Sequence, residues 1–220
     1  MTVHPILELQ EDCINYSGNA TNILRKAYAY SRKLQLTEFS KWLDLEMRGY
    51  DKPSNAPAYR WIHGVVQALS YNNKLIPVQL PSDCLNMLSS VGLTQPISEL
   101  STIVGKDETG TVHIPFQGDV NAELCKAVNM ETQFYLVVGK EQLKSIIDSV
   151  IDSILKWTLL FEEEGIVGKE LTFSKEDTDK AKSIPPEKYN PLVINGNVNT
   201  IMIQNDTISS TLKSAVCSKS

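Results

Sequence analysis

The sequence predicts an α+β fold, rich in helix, with N-terminal helices and a long C-terminal helix framing a small mixed or antiparallel β layer. Three observations carry that expectation. Apolar residues recur at steps of three and four from Leu143 to Phe161, the period of one helix face. Shorter stretches of the same period fill the first 50 residues. Between them lie short β-branched and aromatic runs, bounded by turn residues.

The long helix is the strongest local signal. Leu143, Ile146, Ile147, Val150, Ile151, Ile154, Leu155, Thr158 and Phe161 form its apolar stripe, and Lys144, Asp148, Asp152 and Lys156 lie on the solvated side. Trp157, Leu159 and Leu160 make its last turns apolar nearly all round, so that end is expected deep in a core. A helix from Glu141 to Glu163 is roughly 35 Å long at about 1.5 Å per residue, and Gly165 is its natural stop. Glu162, Glu163 and Glu164 oppose the helix dipole there. Either they form a solvated acidic tip, or one pairs with an arginine of the N-terminal helices.

In chain order, His4 to Tyr16 reads as a first helix, broken at Ser17-Gly18-Asn19. A second runs from about Ala20 to Leu34. A third follows Thr37, whose oxygen is suited to an N-cap, carries Phe39, Trp42, Leu43, Glu46 and Met47, and stops at Gly49. From Tyr59 the pattern becomes strand-like toward Tyr71, Asn72-Asn73 is a turn, and Lys74 to Leu80 is the return strand of a hairpin. Short helices follow Pro81 and Pro96, through Leu88 and Val104. Thr111 to Phe116 and Phe134 to Val138 read as strands, with a helix at Ala122 to Met130 between them. Ile166 to Phe173 is extended, and Ser174 caps a charged helix through Lys182. Residues 1–182 are thus expected to form one domain. Residues 183–220 are expected to be a proline-containing linker and an asparagine-rich, β-prone tail centred on Val198, Ile201, Met202 and Ile203.

Composition narrows the function classes. The chain is 42% hydrophobic and 21% charged, ordinary globular usage that argues against disorder throughout. Its net charge of −5 argues against a nucleic-acid partner, which would need a basic surface. The four arginines, Arg25, Arg32, Arg48 and Arg60, are interleaved with carboxylates, a pattern of intramolecular pairing or of a solvated face. Cys13, Cys84, Cys125 and Cys217 lack metal-ligand or redox spacing. No basic start with an apolar run precedes the chain's first helix, so a cytoplasmic setting with reduced thiols is expected. No apolar run reaches membrane-spanning length.

The chemistry is sparse. His4, His63 and His113 have no partners at metal-ligand spacing, and no metal or cofactor is expected. Gly165-Ile166-Val167-Gly168-Lys169 lacks the spacing and the Ser/Thr of a phosphate loop. The tail is more suggestive. An exposed β-prone segment is a template for pairing with another copy, the alternatives being a disordered tail or a strand docked on its own domain.

Several short stretches together resemble one family. Leu24-Arg25-Lys26-Ala27, Arg32-Lys33-Leu34, Trp42, Glu46-Met47-x-Gly49-Tyr50 and Pro57-x-Tyr59-Arg60 come first. Ile97-Ser98-Glu99-Leu100, Val150 to Leu155, Trp157, Leu159, Phe161-Glu162, Gly165-Ile166-Val167-Gly168 and Phe173-Ser174 follow in the same order. This series, covering about 1–182, resembles the AbiTii domain of bacterial antiphage, abortive-infection proteins. Ser31 departs from the family's small apolar residue, and Asp148 and Asp152 stand where arginine and asparagine are frequent. The resemblance implies a defence protein and transfers no catalytic residue. Arg25, Trp42, Glu46, Gly49, Tyr50, Tyr59, Arg60, Trp157, Glu162 and Gly165 are read as structural. The expectation is a non-catalytic sensor, adaptor or self-assembly module whose partner is itself or a defence-locus protein. The alternatives are a stand-alone effector enzyme, such as a nuclease, and a regulator of a neighbouring gene product.

Overall fold

The computed structural model describes residues 3–16, 19–105 and 110–191. The tail positions Val198, Ile201, Met202 and Ile203, with Cys217, lie outside the described residues. Eight α-helices and six strands occur among the described residues. They divide into two compact units, one within 3–60, 94–105 and 143–191, the other within 61–93 and 110–142. This is the α+β, helix-rich class that the sequence predicts.

The first unit is helical. It holds α1 (Pro5–Ile14), α2 (Ala20–Lys33), α3 (Thr37–Arg48), α5 (Ile97–Val104), the greater part of α7 (Lys140–Glu163) and α8 (Lys175–Ser183). The helix α2 packs on α1, α3 and α5. Nine α7 side chains are buried: Leu143, Ile146, Ile147, Val150, Ile151, Ile154, Trp157, Thr158 and Phe161. Burying each large apolar one is worth about 1.5–3 kcal/mol before entropy is subtracted. The last turns are less immersed than the sequence implies, because Leu159 remains 42% exposed. Only Trp157, Thr158 and Phe161 continue the stripe there. Trp157 stacks on Phe39 at 4.8 Å and on Phe161 at 5.1 Å between ring centroids. Tyr189, beyond α8, closes this cluster edge-on against Phe39 and Phe161.

The caps follow local chemistry with one difference. Ser174 and Asp177 form a reciprocal capping box at α8. At α3 the N-cap is Leu36, with no side-chain cap, and Thr37 is already the first helical residue. Leu36, at φ −84° and ψ 77°, is the centre of an inverse γ-turn in which the Thr37 N–H bonds back to the Gln35 carbonyl. The departure at Ser31 is accommodated: its buried hydroxyl donates to the Tyr28 carbonyl and pairs with Ser40 Oγ at 2.9 Å.

The second unit holds β1 (Trp61–His63), β2 (Val65–Leu69), β3 (Leu75–Pro77), α4 (Ser82–Leu88), β4 (Ser90–Gly92), β5 (Thr111–Pro115), α6 (Gly118–Val128) and β6 (Phe134–Gly139). The run read as one strand toward Tyr71 is two strands in two sheets. β1 pairs with β4, and β2 joins the antiparallel sheet β3-β2-β6-β5. Gly64 makes the break. A Cβ there would lie 2.5 Å from the Val137 carbonyl oxygen, and its N–H donates to the Ser89 carbonyl. Register places Val66, Ala68, Phe134, Leu136 and Val138 on one face of the four-stranded sheet, all buried. The opposite face carries the row Val65–Val137–His113, the row Pro77–Gln67–Tyr135–Pro115, and the pairs Leu69–Leu75 and Gly139–Thr111.

Candidate functional site

The family-like residues of the N-terminal third converge in the first unit. On α3, Trp42, Glu46 and then Tyr50 follow one another at four-residue steps, so they line one face. The helix ends at Gly49, whose φ of 91° lies in the left-handed region. A Cβ at Gly49 would sit 2.6 Å from the Thr94 carbonyl oxygen, which accepts the Tyr50 N–H at 2.8 Å. Glycine is therefore required both by conformation and by space. A 3-10 turn at Ala58–Arg60, closed by the Arg60 N–H on the Pro57 carbonyl, returns Tyr59 and Arg60 to the same place.

There the Glu46 carboxylate is saturated. Oε1 accepts from Tyr50 OH and Tyr59 OH, each at 2.6 Å, and from Arg60 Nε at 3.2 Å. Oε2 accepts from Arg60 Nη2 at 2.5 Å. The Trp42 indole N–H donates to Tyr59 OH at 2.9 Å, and Arg60 Nη1 donates to the Gln95 carbonyl at 2.7 Å. The guanidinium also lies over the Tyr50 ring, 4.9 Å from its centroid. Glu46 and Arg60 are both 0% exposed. Burial pushes the Tyr50 and Tyr59 hydroxyls above their ordinary range, and the Glu46 charge pushes the same way. For Arg60, burial opposes the charged form, but Glu46 more than offsets it and raises its pKa.

This arrangement does structural chemistry. Taking two charges out of water carries several kcal/mol of desolvation per ion, recovered only when geometry and hydrogen bonding are complete. Here each Glu46 oxygen has a donor, and the planar guanidinium offers Nε and Nη2 as a fork. The network ties the end of α3, the 57–60 turn and the segment before α5 to one another. Glu46 is fully buried behind these donors.

The remaining predicted positions lie elsewhere. Trp157 is in the aromatic core, and its buried Nε1 finds no hydrogen-bond partner among the described residues. Gly165 (φ 74°) terminates α7; nothing lies within 4 Å of a Cβ built there, so its role is conformational. Arg25 is exposed on α2. Glu162 is exposed and accepts a hydrogen bond from Gln10 Nε2 at 2.8 Å, so the acidic tip of α7 is solvated. His4 bonds through Nδ1 to the Gly168 carbonyl, and His113 meets the Tyr135 ring edge-on. Burial, helped by Asp12, pushes the Cys13 thiol up to about 12, which disfavours its thiolate at neutral pH. Among the described residues no group of three or more His, Cys, Asp or Glu side chains has the arrangement to hold a metal ion. None of their helices is long and apolar enough to cross a membrane.

The AbiTii family profile matches residues 6–185. The chain belongs to the AbiTii family, whose association is with abortive-infection defence. Neither a curated protein nor a solved structure matches it.

Proposed function

We propose that this chain is a cytoplasmic antiphage defence protein that works through protein interaction, as a sensor, adaptor or self-assembly module, with the tail around Val198 to Ile203 as its assembly element. Family membership supports the defence role. The observation that carries the non-catalytic reading is the Glu46–Arg60 network. The family-like residues of this network, a carboxylate, a guanidinium and two phenols, are bonded to one another, with Glu46, Arg60 and Tyr50 buried and Tyr59 half-buried. They hold a scaffold, and a scaffold acts through its surface.

The test is solution mass by light scattering, for the full chain and for a version ending at Pro191. That boundary keeps Tyr189, which packs against Phe39 and Phe161. An oligomeric full chain, a monomeric truncation, and loss of phage restriction by the truncation are expected. The same number of copies in both would contradict tail-mediated assembly. Turnover of nucleic acid by the purified full chain would favour the effector-enzyme reading instead.

A further inference from the structure

The outward face of the sheet β3-β2-β6-β5 is unusual for a surface. A solvated face of an antiparallel sheet normally alternates to polar and charged residues. Here register brings Val65, Val137, Tyr135, Leu69 and Leu75 to that face, and no Asp, Glu, Lys or Arg stands among its positions. Val65 is 61% exposed. Val65, with the half-buried Val137, Tyr135, Leu69 and Leu75, makes this face uncharged and largely apolar, as interaction surfaces often are.

Size and charge choose the occupant. Four strands about 4.8 Å apart, each three to six residues long at about 3.3 Å per residue, make a face of about 20 Å or less in each direction. A face of that width is on the scale of one extended segment. Residues 189–205 carry no charged side chain, and within them 198–204 combine Val198, Ile201, Met202 and Ile203 with Asn, Thr and Gln. Seven extended residues span about 23 Å, the scale of the sheet. Pairing at the sheet edges is blunted. The Phe116 N–H bonds to the Phe134 carbonyl, so at alternate positions Pro115 turns its backbone outward on β5 and has no N–H to offer. Pro77 ends β3, the other edge strand.

We propose that the uncharged face of this sheet is the acceptor for residues 198–204 donated by a second copy of the chain. The inference rests on the tail-assembly reading above and names its receiving surface. Donor and acceptor lie on the same chain, and reciprocal exchange of tails between two copies closes the assembly as a dimer.

The experiment uses the full chain and three variants, Val65→Lys, His113→Glu and Ile201→Lys. Both face substitutions are at exposed strand positions. Solution mass and the rate of proteolytic cleavage within the tail are read together across a concentration series. The expected result is a dimer whose tail is cleaved more slowly as concentration rises. All three variants should shift to monomer and cleave at least tenfold faster, with unchanged circular dichroism. If Ile201→Lys dissociates the dimer while Val65→Lys and His113→Glu keep wild-type mass and cleavage rate, the face is not the acceptor, although tail assembly stands. Protection independent of concentration would overturn donation between copies. A wild-type chain monomeric throughout would overturn the assembly reading itself.

Discussion

The two units treat charge in opposite ways. The helical unit buries a full ion pair, Glu46 and Arg60, in its interior. The sheet unit presents a face with no charged residue to solvent. Each departs from the ordinary partition of polar outside and apolar inside. A buried charge network specifies one packing, because any alternative leaves an ion or a phenol without its partner. An exposed uncharged face specifies nothing within its own unit, which is why a partner is proposed for it. The family-like residues lie in the helical unit, and the proposed interaction surface lies in the sheet unit.

Breaking the network should give the largest effect. Glu46→Ala leaves the Arg60 guanidinium buried without a counter-charge, and urea unfolding should show a loss of about 3–5 kcal/mol. Arg60→Ala should be of similar size. The double variant should lose much less than the sum, since the second substitution removes a group already unpaired. Additive losses would mean that the pair is not coupled.

Alkali should act on the same unit more gently. Tyr50 and Tyr59 have folded-state pKa values raised above the ordinary 10.0, and Cys13 is raised from 9.0 to about 12. A value raised by folding means that the folded state holds its proton more tightly. These contributions are therefore fully present below pH 9 and fall as pH rises past 9 for Cys13 and past 10 for the tyrosines. Each group should contribute a slope of about 1.4 kcal/mol per pH unit in that window. Unfolding midpoints followed from pH 7 to 11 should be flat and then drop. A drop that begins below pH 8 would point to other groups.

How much of this was legible depended on sequence separation. The long helix was readable because its stripe is a local repeat, and all nine of its buried positions after Lys140 obey that stride. The capping role of Ser174 was readable for the same reason. The network was readable only as a set of separate family-like residues. Trp42, Glu46 and Tyr50 stand at a helical stride, but Tyr59 and Arg60 arrive through a loop whose path nothing in the residues fixes. Of the two expectations for Glu162, Glu163 and Glu164, the solvated tip is the one that holds, and the buried arginine's carboxylate is Glu46 on α3. A usable signal was present: a glutamate between Trp42, Leu43 and the buried Tyr50 sits on an inward face and needs a cation. The break at Gly64 and the strand β4 (Ser90–Gly92) were missed because both depend on long-range backbone pairing, Gly64 with Ser89 and β4 with β1. The uncharged sheet face required the register of four strands before it existed as a feature.

The contrast between the units is tested most directly by comparing one small change in each, Tyr59→Phe and Val65→Lys, for unfolding free energy and phage restriction side by side. Tyr59→Phe removes one donor to Glu46 and the acceptor of the Trp42 N–H. It should cost about 1–2 kcal/mol and leave restriction intact at temperatures where the protein stays folded. Val65→Lys should change stability by less than about 0.5 kcal/mol and abolish restriction. The opposite pattern, restriction lost with Tyr59→Phe in a folded protein and kept with Val65→Lys, would place function in the buried network and contradict the account.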